Sequence, residues 1–76
     1  MREPPTTIER LRVERGMTYE QVGLRAGCSA DTVARYARGR CHRPRILTLR
    51  RIAEALGVDV WQLAEDYQRE LEELRG

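Results

Sequence analysis

The chain has 76 residues and a formal net charge of +2, with 41% hydrophobic and 34% charged residues. That suits one small domain spanning residues 1–76, and it excludes wholesale disorder. It also excludes a membrane protein, because no apolar run approaches the roughly 18–20 residues of a span and MREPPTTIER has no signal-peptide core, so a cytoplasmic location is expected.

Helical spacing recurs along the chain, and no segment keeps the alternation of a strand. Thr6-x-x-Glu9 is a capping-box pattern, and Pro4-Pro5 cannot continue a helix backwards. Helix one is expected from about Thr7 to Arg15, with Ile8 and Leu11 on one face and Gly16 as its end. Thr18-x-x-Gln21 is a second capping box. Helix two then runs from about Tyr19 to Ala26 and stops at Gly27. Ser29 is a good N-cap for helix three, which runs to about Arg38 before Gly39. An irregular basic loop, RCHRPRI, follows, and Pro44 biases Arg43 away from helix. Helix four, LTLRRIAEAL, puts Leu49, Ile52, Ala53 and Leu56 on one face before Gly57. Asp59 caps helix five, which meets no breaker until Gly76. The expected fold is all-α: a compact five-helix domain with an extended C-terminal helix over about residues 60–75.

Charge follows this organisation. Residues 25–51 carry eight arginines against Asp31, net +7, while residues 52–76 carry seven acids against two arginines, net −5. A basic middle calls for an anionic partner, and the acidic end for another task. Two cysteines, Cys28 and Cys41, make no disulfide framework. With His42 they lack the paired spacing and the fourth ligand of a zinc site, so neither metal nor cofactor is expected. One histidine, no paired acids in a plausible pocket and no phosphate-cradling glycine loop leave an enzyme without support.

The most restrictive pattern lies around Gly27-Cys28-Ser29. Val22, Val33 and Tyr36 form the seam between helices two and three. Gly23 sits where the second helix crosses closely, and Gly27 supplies the positive φ of the tight turn. Cys28 fills a small apolar position. This is the logic of a helix-turn-helix over about residues 19–38, with helix three as recognition helix. The stretches IERLRVERGMTYEQVGLRAG, CSADTVARYARG and TLRRIAEALGVDVWQL resemble the Cro/repressor-type, lambda-repressor-like (XRE) helix-turn-helix family over about residues 8–63. The resemblance implies a five-helix DNA-binding domain that acts as a homodimer on a palindromic operator, in a bacterium or phage.

The resemblance also implies residue roles. Ser29, Ala30, Asp31 and Thr32, with Arg35 one turn on, fall where the family meets base edges in the major groove. Arg35 suits a bidentate contact to guanine, Ala30 a thymine methyl, and Ser29 reads first as an N-cap. Asp31 has three open roles: it favours the helix dipole, braces Arg35 four residues on, or accepts from cytosine. Arg38, Arg40, His42, Arg43 and Arg45 occupy the family's backbone-gripping loop, with Arg45 directed towards a narrow minor groove. Tyr19 stands where the family often has a phosphate-binding glutamine. Arg12 matches a family arginine whose usual glutamate partner is replaced by Ala37, so it needs another partner, such as a phosphate.

Helix five carries Val60, Ala64, Tyr67, Leu71 and Leu74 at spacings of four and three, a coiled-coil-like stripe read as a dimerisation arm. Trp61 and Leu63 are expected to face the core. The alternative places this helix back on its own domain, over Val13. The overall reading is a nucleoid-associated transcriptional regulator of the repressor or controller kind that binds double-stranded DNA and meets RNA polymerase or another protein. The second reading is an antitoxin or coactivator-like adaptor whose main ligand is a protein, with the acidic arm as its support.

Overall fold

The computed structural model describes residues 6–75; Pro4-Pro5 and Gly76, read above as helix boundaries, lie outside the described residues. Five helices follow in order: α1 Thr7–Glu14, α2 Tyr19–Ala26, α3 Ala30–Ala37, α4 Ile46–Leu56 and α5 Val60–Arg75. No strand occurs among the described residues, so the expected all-α class holds.

The helix starts are those that local chemistry demands. Thr6 accepts from the Glu9 amide, and Thr18 and Gln21 form the complete reciprocal box. Ser29 accepts from the Thr32 amide, and Asp59 from the Gln62 amide. Each bond satisfies an amide that the helix itself leaves unpaired. Helix α4 differs: it begins at Ile46, one residue earlier than expected, and Arg45 gives it no side-chain cap.

Ile8, Leu11, Val22, Val33, Tyr36, Leu49, Ile52, Leu56, Leu63, Tyr67 and Leu71 form one buried cluster. Helix α2 packs on α3 and α4, while α5 packs on α4 and α1.

Helix α5 corrects three expectations. Tyr67 is fully buried and Leu71 is 5% exposed, both inside their own domain. The apolar stripe assigned to a second copy is therefore, at these positions, core. The outer end of α5 is tied down as well. Glu70 accepts from the Thr7 amide at 3.0 Å and from the Thr7 hydroxyl. A carboxylate there meets the positive end of α1. Leu74 covers Gly39 so closely that a β-carbon there would collide with its Cδ1. The helix folds back, but not over Val13, which stays 56% exposed. Trp61 points outward at 66% exposure whereas Leu63 is buried. Residues two apart on a helix do not share a face, so both could not face the core.

Candidate nucleic-acid interface

Helices α2 and α3 meet at a turn that depends on two glycines. Gly27 adopts φ 72° and ψ 33°, and Gly23 O accepts from the Cys28 amide at 3.0 Å. A β-carbon on Gly23 would sit 2.6 Å from Cys28 O, a backbone atom that cannot turn aside. The turn aims α3 so that Val33, Tyr36 and Ala37 are buried. Ser29, Asp31 and Arg35 are exposed on its other side, with Ala30 and Thr32 half-buried. The Ser29 and Thr32 hydroxyls lie 2.9 Å apart, so part of their bonding capacity already serves the cap. Asp31 makes no ion pair with Arg35, so the bracing role has no contact in this state.

Residues 38–45 join α3 to α4, and Arg38, Arg40, His42, Arg43 and Arg45 are all exposed. Among the described residues, none of Arg35, Arg38, Arg40, Arg43 and Arg45 is paired with an acid. In contrast, Arg12 and Arg69 are engaged by carboxylates. These uncompensated guanidinium groups, on α3 and the loop after it, make this face strongly positive.

The loop itself is held from below. The Arg45 amide donates to the Tyr36 hydroxyl at 3.0 Å, and the Tyr67 hydroxyl donates to the Cys41 carbonyl at 2.9 Å. The two rings stack with centroids 5.5 Å apart. Burial raises both phenol pKa values, so both keep their protons. Burial likewise raises the Cys28 thiol.

Beside this loop, Arg12 resolves the missing-partner question. Its guanidinium grips Glu9 through two bonds, of 2.7 and 3.1 Å, and donates to Met17 O at 2.6 Å. The expected phosphate is not needed to satisfy it; a glutamate on its own helix stands in. Tyr19, expected to meet a phosphate, here donates its hydroxyl proton to Glu9 at 3.1 Å. Its ring instead lies under Arg12, 4.3 Å from centroid to Cζ, with Arg38 at 5.7 Å. Glu9 was overlooked, although Glu9 and Arg12 at i,i+3 on one helix were a readable pair.

The Arg12 hydrogen bonds hold the Glu9 carboxyl below its ordinary pKa. A depressed folded pKa stabilises the fold above the unfolded value of about 4.3, and that stability drains as pH falls through the folded value. Glu9→Gln is expected to lower stability by about 1.5–3 kcal/mol at pH 7. It should also flatten the acid limb below about pH 4, measured by urea unfolding across pH. An unchanged acid limb would remove Glu9 from this role.

Among the described residues, no group of three or more His, Cys, Asp or Glu side chains is placed to hold a metal ion, and no helix is long and apolar enough to cross a membrane.

Comparison with known proteins bears on this geometry. A family model described as a helix-turn-helix domain matches residues 6–65, stopping short of Tyr67, Glu70, Leu71 and Leu74. A protein of Sinorhizobium fredii, named an uncharacterized HTH-type transcriptional regulator, is 45% identical over 53 residues, covering 70% of this chain and 68% of that protein. No solved structure matches the chain.

Proposed function

The chain belongs to the helix-turn-helix domain family, and from that premise we propose that it is a sequence-specific regulator of transcription that binds double-stranded DNA. The observation that carries the reading is the run of unpaired arginines from Arg35 to Arg45, beside a capped helix whose outer face is open. In this reading Ala30, Asp31, Thr32 and Arg35 meet base edges, with Ser29 as cap. Arg38, Arg40, His42, Arg43 and Arg45 hold phosphates. Tyr19 serves as the platform that orients Arg12 and Arg38. Phosphate contacts position the protein, and base contacts specify the sequence.

Selection of bound duplexes from a random pool tests the proposal. An enriched, palindromic site is expected. Arg35→Ala should then lose about 1–3 kcal/mol of discrimination at one guanine position while leaving the others intact. A pool that shows no enrichment would sink the reading.

Palindromic binding calls for a homodimer. Tyr67 and Leu71 are spent on the core, so the dimer face belongs elsewhere. Ile46, Leu47, Val60 and Trp61 line an apolar hollow of about 180 Å³. Ile46 directly follows Arg45, so this hollow begins where the basic loop ends. That placement argues for a second copy as occupant. Trp61→Arg should then yield a folded monomer in sedimentation, with DNA affinity falling in step. A dimer that persists in Trp61→Arg would move the face again. The protein-adaptor reading now rests on the acidic outer face of α5, where Arg69 already engages Asp66 and Glu73.

A further inference from the structure

The stretch Cys41 to Arg45 of the loop read above as the backbone grip is tied to the core by two tyrosine hydroxyls. The Cys41 carbonyl receives the Tyr67 hydroxyl, and the Arg45 amide reaches the Tyr36 hydroxyl. Between these points lie His42, Arg43 and Pro44. The tyrosines come from different helices. Tyr36 sits on the buried side of α3, and Tyr67 on α5, outside the segment shared with the family. Their rings stack at 29° between planes. The side of α3 opposite its proposed base-reading residues is thus coupled, through one aromatic contact, to both ends of the arginine-bearing segment.

We infer that Tyr67 is a positioning residue for DNA: with Tyr36 it sets where Arg43 and Arg45 stand relative to the recognition helix, and so governs affinity for the phosphate backbone without choosing bases. The inference rests on the DNA-binding reading above. Its physical basis is preorganisation. A loop already fixed in its bound shape spends less conformational entropy on binding than one that must be ordered by the ligand. The expected signature is non-selective, because the hydroxyls touch no base and act only through loop arginines.

Tyr67→Phe and Tyr36→Phe keep both rings and remove only the ties. For Tyr67→Phe, binding to the selected duplex and to a scrambled duplex should weaken by a similar factor, about 3- to 10-fold. The slope of log affinity against log salt should stay as in the parent chain, because the same arginines reach the phosphates once the loop is ordered. The base preference of the selected site should stay as in the parent chain. Independently of DNA, amide exchange at residues 41–45 should quicken in both variants, and the Arg45 amide most in Tyr36→Phe. Tyr36→Phe carries the same binding test should Tyr67→Phe fold poorly by its melting curve. A parent chain that binds while the Phe variants match it in affinity overturns this inference alone. A loss confined to the selected sequence overturns it as well, because that would be base readout. A parent chain that binds no duplex overturns the DNA reading, and the inference falls with it.

Discussion

Deleting residues 68–76 is expected to unfold the domain rather than merely separate a dimer. The deletion removes Leu71, which is 5% exposed; losing a buried leucine takes about 2–5 kcal/mol. It also removes Glu70, the carboxylate that receives the Thr7 amide and hydroxyl at the positive end of α1. Charge-assisted bonds of that kind contribute about 1.5–3 kcal/mol. Leu74 leaves Gly39 uncovered as well. A domain of 76 residues has about 4–11 kcal/mol in total, so the deletion takes most of it. The melting temperature should fall by roughly 15–30 °C or the transition should vanish, followed by circular dichroism. The single changes Glu70→Gln and Leu71→Ala should each reproduce part of the fall. A truncated chain that melts within a few degrees of the parent, but sediments at half its mass, would restore the arm to a dimer interface.

The contrast between the two readings of α5 locates what a sequence can carry here. Helix boundaries were legible because their causes are local: Thr18 with Gln21, Ser29 with Thr32, and Gly27 at positive φ all lie within four residues of what they control. The turn between α2 and α3 was legible for a similar reason, since Gly23 and Cys28 lie only five residues apart. The stripe on α5 was recognised as apolar, but a period of four and three marks a face that is buried and says nothing about what buries it. The Tyr36–Tyr67 stack and the Cys41 tie join residues from distant parts of the chain, and no local pattern announces them. Arg12 is the intermediate case. The absence of an acid at Ala37 was visible, while the substitute, Glu9, was hidden by its expected role as a capping residue. Its backbone does follow the capping geometry, yet its carboxylate turns to Arg12 and Tyr19, because a guanidinium is the stronger partner.

Salt should govern the proposed complex more than any single substitution. A guanidinium placed on a phosphate releases condensed counterions, and log affinity falls with log salt at about 0.9 per phosphate. Each copy offers Arg38, Arg40, Arg43 and Arg45 without an acidic partner among the described residues. Two copies making ~6–10 phosphate contacts should lose about 10³–10⁵ in affinity between 50 and 200 mM salt. One copy acting alone would lose only about 10²-fold over the same range, so the slope also reports stoichiometry. Titrating a labelled duplex at several salt concentrations measures it directly. Arg43→Ala should weaken binding to every sequence alike and, removing one contact from each of two copies, lower the slope by about two. Arg35→Ala should instead narrow the gap between selected and scrambled duplexes, because a base contact adds discrimination that counterion release does not supply. An affinity indifferent to salt would mean that the unpaired arginines never meet phosphates, and the acidic face of α5 would then be the better place to look for a ligand.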